Sequence, residues 1–222
     1  MNLNVTRRSI AATALLALLV SGTLSALAPA KKTARPKKES RFKPKDYAKV
    51  KAILKTSQGD VALRFFFDRA PAHVKNFVDL AASGFYDGTV FHRVIPGFVI
   101  QGGDPNTKDP GKSGLWGFGG NTDPKGKPIT VKAEFNDLPH RRGVISMART
   151  QSDPDSASSQ FFIILKDAPS LDRQWTVFAE VSDGIDVVDK LVAESRADTN
   201  DLRTGGRPSN YQKINKVELL EP

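Results

Sequence analysis

The sequence has no cysteine, and only three histidines, His73, His92 and His140, are scattered through its 222 residues. A disulfide scaffold, a cysteine nucleophile, iron–sulfur clusters and cysteine-based zinc sites are thereby excluded. A histidine-rich metal centre is not expected either. Apolar residues make up 39% and charged residues 26%, with 17 glycines and 14 prolines, a balance that excludes collagen, a coiled coil and a polytopic membrane protein. Acidic residues are the scarcer sign, giving a net charge of +9, but the excess is local. The first 45 residues hold ten of the 33 basic residues and one of the 24 acidic ones, so the remainder carries 23 of each. A neutral body gives no electrostatic reason to expect nucleic acid as a partner.

The basic end divides in two. Arg7-Arg8 is followed by an uncharged stretch to Ala30 that is most apolar over 15–20 and closes on Ala28-Pro29-Ala30, a pattern suited to a signal peptidase. Thr6-Arg7-Arg8-Ser9-Ile10 matches a twin-arginine export signal in part, and a Sec-type signal also fits. Export with cleavage after Ala30 into a periplasmic or secreted location is the expectation. An uncleaved membrane anchor is the alternative, disfavoured because Ser21, Gly22, Thr23 and Ser25 dilute a short apolar run. Residues 31–47 then read as a basic linker too poor in apolar side chains to offset its ordering entropy. Residues 31–45 would at most make a weak contact with an anionic surface.

From about residue 48 the pattern becomes that of a folded domain running to 222. Short strand-like runs fall at 50–56, 59–67, 90–95, 98–102, 129–135, 143–148, 160–165, 176–181 and 214–220. Pro71 opens a helical spacing of Val74, Phe77, Val78, Ala81 and Ala82, closed by Gly84, and a second helix fits 185–193. Many strands with two helices suggest a closed antiparallel barrel with helices at its mouths. Long polar loops at 104–128 and 149–159 are of a length usually kept for function.

Two phosphate-binding patterns fail. Gly111-Lys112-Ser113 lacks the first P-loop glycine, whose place Asn106 takes, and Gly117, Gly119 and Gly120 do not complete a dinucleotide fingerprint. Both read as loop glycines.

One segment remains, Phe91-His92-Arg93-Val94-Ile95-Pro96-Gly97-Phe98-Val99-Ile100-Gln101-Gly102-Gly103-Asp104. Pro96-Gly97 reads as a tight turn between strands. Alternation would put Arg93 on one face with Phe91 and Ile95, and Gln101 on one face with Val99. A guanidinium on an apolar face is rare unless paired or used. An arginine capping a strand end and an arginine acting on a ligand both fit the segment taken alone.

This segment resembles the active-site signature of the cyclophilins, the cyclosporin-binding family of peptidyl-prolyl cis–trans isomerases. The resemblance continues through Ile145-Ser146-Met147-Ala148, Ser159-Gln160-Phe161-Phe162-Ile163, Leu171-Asp172 and Val177-Phe178, in the family's order. It implies an eight-stranded antiparallel barrel capped by two helices, and an enzyme that speeds rotation about X–Pro bonds in proline-containing polypeptides. It implies a monomer that uses no cofactor and no metal. By the same likeness Arg93 is catalytic, while Phe98, Val99, Phe162 and Leu171 form a pocket for the proline ring. Gln101 orients Arg93 and contacts the substrate backbone. Ala148, Arg149 and Gln160 line the adjoining peptide groove, Arg149 through its main chain. Val99 stands where Met is common, Arg149 where Asn is frequent, and Trp175, a further binding residue, where many members have His. Ser170 replaces the tryptophan that cyclosporin-sensitive members carry before Leu-Asp. A non-catalytic proline-binding or chaperone module of the same fold is the alternative function.

Overall fold

A computed structural model describes residues 46–197 and 206–221. The expected signal segment, and all of the expected linker but Asp46 and Tyr47, lie outside the described residues. Nine strands and two helices follow in chain order. They are β1 (Lys51–Thr56), β2 (Gly59–Phe65), α1 (Pro71–Ala82), β3 (Val90–Phe91), β4 (Arg93–Ile95), β5 (Val99–Gly102), β6 (Val144–Met147), β7 (Phe161–Ile164), β8 (Val177–Asp183), α2 (Ile185–Ser195) and β9 (Gln212–Leu220).

Alternation of buried and exposed positions along β1 gives a sheet with one face inward. β1 and β2 form a hairpin closed at Thr56 and Gly59, where Gly59 has φ +132°. The strands pair antiparallel in the order β3-β9-β1-β2-β8-β6-β7-β5-β4. The strands at the two ends of this sheet, β3 and β4, are separated in the chain by His92 alone, so the chain itself bends the sheet into a nearly closed barrel. Here lies the difference from the eight strands expected. The run at 90–95 is split at His92 into one piece that pairs with β9 and one that pairs with β5.

The split also corrects the expected facing. Phe91 and Val94 both enter the barrel core, so the strand changes phase between them. Arg93 and Ile95 therefore face away from Phe91, opposite Gln101 and Val99 in register.

A second correction concerns 129–135, which is no strand. Val131 makes an isolated bridge with Ala157, and the other amides of the segment turn to different partners. Ile129 N–H donates to the Asn121 carbonyl, Ala133 N–H to Asp155 and Glu134 N–H to Thr176 Oγ1. Ile129 and Phe135 stay 38% and 42% exposed, so the segment buries no face that would fix a strand register.

Inside the barrel, Phe77 of α1 lies 4.9 Å from the Tyr86 ring and 5.5 Å from those of Phe161 and Phe178. α1 packs on β8 and β9, and α2 on β2 and β9. Ala70 at the start of α1 has no side chain to cap it. Glu134 does so from a distance, accepting from Ala72 N–H and His73 N–H at 3.0 Å each and from His73 Nδ1 at 2.7 Å. Tyr47, at the last position of the expected linker, donates its hydroxyl to Asp79 of α1.

Candidate active site

A second apolar cluster forms apart from the barrel core, because the sheet's two faces are lined by alternate residues. Along β7, Phe161 and Ile163 enter the core, whereas Phe162 and Ile164 join the second cluster. Val99 of β5, Val144 of β6, Val177 of β8, Ala168 and Leu171 complete it, with Phe98, Ala148 and Trp175 packed half-buried against them. The four residues assigned by resemblance to a proline pocket are thus in one cluster, and Trp175 with them. Phe66 and Leu138 also pack there, and no local pattern in the sequence marks either one.

The turn at Pro96-Gly97, with Gly97 at φ +74°, returns the chain so that Arg93 and Gln101 stand side by side. Arg93 Nη1 donates to Gln101 Oε1 at 3.4 Å. Gln101 Nε2 donates to Gln160 Oε1 at 2.9 Å, and Gln160 Nε2 donates to the Gly117 and Gly119 carbonyls at 2.9 and 2.7 Å. This row fixes its own polarity. Two carbonyls can only accept, so the Gln160 amide must turn its oxygen to Gln101, and Gln101 in turn must offer its oxygen to Arg93. Partial burial draws the Arg93 pKa down from its ordinary value through desolvation, yet a guanidinium stays cationic at neutral pH.

A group that the sequence reading passed over anchors this row. Asp104 is fully buried, and its carboxylate accepts from Asn106 N–H at 2.7 Å and from the amides of Gly117 and Gly119. A β-carbon on Gly119 would stand 2.0 Å from Asp104 Oδ1, so this approach requires glycine. The glycines read as plain loop residues therefore present the carbonyls that hold Gln160. The available signal was an acid at the end of an apolar strand, which must find donors if buried. His92 is only 6% exposed, and burial lowers its pKa to about 4.

Beside the row lies a groove of about 580 Å³ lined by Gln101, Gly119, Thr130, Ala148, Arg149 and Gln160 among others. Ala148 N–H donates to the Gln160 carbonyl at 2.8 Å, whereas the main chain of Arg149 makes no backbone bond among the described residues. Its side chain is set in a way the sequence did not suggest. Nε donates to the Gln174 carbonyl, Nη1 to those of Thr150 and Gln151, and the guanidinium carbon stands 4.6 Å from the Trp175 ring centroid.

The family model of cyclophilin type peptidyl-prolyl cis-trans isomerase/CLD matches residues 51–219. The chain is 43% identical over 174 residues to peptidyl-prolyl cis-trans isomerase B of Escherichia coli K12, covering 74% of this chain and 92% of that one. It is 40% identical over 159 residues to the peptidyl-prolyl cis-trans isomerase of Helicobacter pylori, covering 70% and 89%. A crystal structure of a Cryptosporidium parvum cyclophilin type isomerase, determined in the presence of the dipeptide Ala-Pro, superposes with a TM-score of 0.65 at 30% identity, covering 78% of this chain and 99% of that one. Sequence and fold agree from the first strand of the barrel to the last, and the chain belongs to the cyclophilin-type peptidyl-prolyl cis–trans isomerases.

Proposed function

We propose that this protein accelerates cis–trans rotation of X–Pro bonds in polypeptides, with Arg93 as the catalytic group. The observation that carries this reading is the Arg93 guanidinium held by Gln101 on the sheet face that also carries Val99 and Phe162. An X–Pro bond has partial double-bond character and a barrier of about 20 kcal/mol, with an uncatalysed lifetime of about 10–100 s. At the twisted transition state conjugation is lost, and the proline nitrogen becomes a pyramidal hydrogen-bond acceptor. Arg93 donates to that nitrogen, an interaction far weaker with the planar ground state, so it lowers the barrier and not merely the energy of binding. Phe98, Val99, Phe162 and Leu171 grip the ring while the preceding carbonyl turns. Gln101 keeps the guanidinium aimed, and Ala148, Arg149 and Gln160 hold the flanking peptide.

Shortening the lifetime to about a millisecond requires roughly 10⁴-fold, or 5–6 kcal/mol. One charge-assisted hydrogen bond supplies about 1.5–3 kcal/mol. The remainder comes from the fixed pocket and from excluding water around the rotating amide. No nucleophile or proton transfer enters. Exchange spectroscopy of the cis and trans signals of a short proline peptide tests the reading, which fails if wild type leaves the exchange rate unchanged.

The same protein is exported on this reading, into a periplasm or outside the cell. Arg7-Arg8, the apolar run and Ala28-Pro29-Ala30 support this, and proline-containing polypeptides folding there are its substrates. The mature N-terminus of the protein from an exported fraction tests it. A start at Met1 would sink the cleavage.

A further inference from the structure

We infer that Arg149 is a specificity determinant that favours proline peptides carrying a carboxylate side chain close to the proline. The inference rests on the isomerase reading above and names the substrate class of that site. Arg149 stands at the border of its two parts, next to Ala148, which packs on the apolar cluster while also lining the groove. Among the residues lining the groove, Arg149 alone is charged; the rest are amides, hydroxyls, glycines, prolines, an alanine and a phenylalanine. The guanidinium itself lies over Trp175, which packs on the apolar cluster, so the cation stands where the groove meets the proline pocket.

That cation is not already neutralised. Arg149 forms no ion pair among the described residues. The acids of its own loop are turned elsewhere, Asp153 accepting from Asp155 N–H at 2.9 Å and Asp155 from Ala133 N–H at 2.8 Å. The guanidinium is also held in place. Its Nε and Nη1 donate to three main-chain carbonyls, and it stacks on Trp175 at 4.6 Å and approaches Phe135 at 5.8 Å. These contacts leave Nη2 without a protein acceptor among the described residues. A guanidinium already fixed in place loses little entropy when its remaining nitrogen, Nη2, takes up a carboxylate.

The test compares proline peptides that carry Glu, Gln or Lys at each of the three positions on either side of the proline, with exchange spectroscopy giving kcat/KM. At low salt wild type is expected to prefer Glu to Gln by about fivefold, or 1 kcal/mol, at one position at least, with Lys below both. At about 0.5 M sodium chloride the preference should fall below about twofold, because exposed charges are then screened within a few ångströms. Arg149→Gln should bring the Glu/Gln ratio to about one, whatever its absolute rates, and Arg149→Lys should retain part of it. A wild-type ratio near one at every position, or a ratio that survives Arg149→Gln, would overturn the inference while leaving the isomerase reading standing. Acceleration of none of the peptides would overturn both.

Discussion

Arg93 combines a position on the outer sheet face with a neighbour that orients it, and each half of that arrangement can be removed separately. Arg93→Ala should lower kcat/KM at least about tenfold, since losing the transition-state hydrogen bond costs more than ~1.4 kcal/mol. The variant should keep its thermal midpoint, because Arg93 is only half-buried and contributes nothing to the core cluster. Unchanged turnover would remove Arg93 from the mechanism. A second prediction at this scale concerns Ser170. It is exposed in the turn Pro169–Leu171, and its carbonyl accepts from Gln174 Nε2 at 2.8 Å. It has neither the ring nor the indole N–H that the family's drug-sensitive members present there. Wild type should therefore be inhibited poorly by cyclosporin A, and Ser170→Trp should tighten inhibition about thirtyfold, the ~2 kcal/mol of an interfacial tryptophan. A titration in which both proteins inhibit alike would show that Ser170 does not set sensitivity.

Among the elements, the loop after β5 has the clearest mechanical task. Asp104 gathers the amides of Gly117 and Gly119, whose carbonyls fix Gln160, which fixes Gln101. Asp104→Ala leaves those amides without their acceptor, at about 1–3 kcal/mol of stability. It should also reduce kcat/KM several-fold in molecules that are still folded, because the Gln101 amide is then free to turn its nitrogen toward Arg93. A loss of stability with kcat/KM unchanged would mean that the row does not depend on the loop. The start of α1 depends on tertiary structure in the same way. Glu134→Ala removes the acceptor of two helix amides and should lower the urea midpoint by the equivalent of about 1–2 kcal/mol. The helix itself is plain in the sequence from Pro71 and its apolar spacing. Its cap is 61 residues away, from His73 to Glu134, and no local pattern could announce it.

At the scale of the whole molecule, the three histidines make the fold sensitive to acid. Desolvation lowers the pKa of His92, to about 4, and also lowers those of His73 and His140 despite their carboxylate partners Glu134 and Asp172. In the unfolded chain an imidazole takes up its proton near pH 6.5, so between that pH and about 4 the unfolded state binds more protons than native His92 does. Stability is therefore full above about pH 6.5 and declines as pH falls toward 4, with His92 alone accounting for on the order of 3 kcal/mol. Urea unfolding between pH 4 and 7 checks this, and His92→Phe should flatten the profile. A wild-type profile already flat over that range would contradict the neutral burial of His92. Removing residues 1–45 should leave activity on short peptides intact, since every site residue lies beyond Arg93 or at it. Loss of folding on truncation would contradict the reading of that segment as a signal followed by a linker.

What the sequence by itself determined was the local and the chemical. The turn at Pro96-Gly97 and both helices follow from spacings of a few residues, and the candidate site residues were named from the family signature. The tertiary structure decided what depends on contacts between distant segments. His92 breaks one apparent strand in two because its halves must pair with opposite ends of the sheet, β9 and β5. Residues 129–135 look like a strand, yet their amides go to Asn121, Asp155, Ala157 and Thr176 instead. Gly117 and Gly119 became anchors of Gln160 only once Asp104 was buried beneath them. Arg149 was placed at the groove by the family resemblance alone, and there through its main chain. Its fixed orientation needed Trp175, 26 residues away, and carbonyls that only the folded loops bring together. Periodicity records which face a residue must bury, whereas a partner across the chain leaves no mark in the spacing of its neighbours.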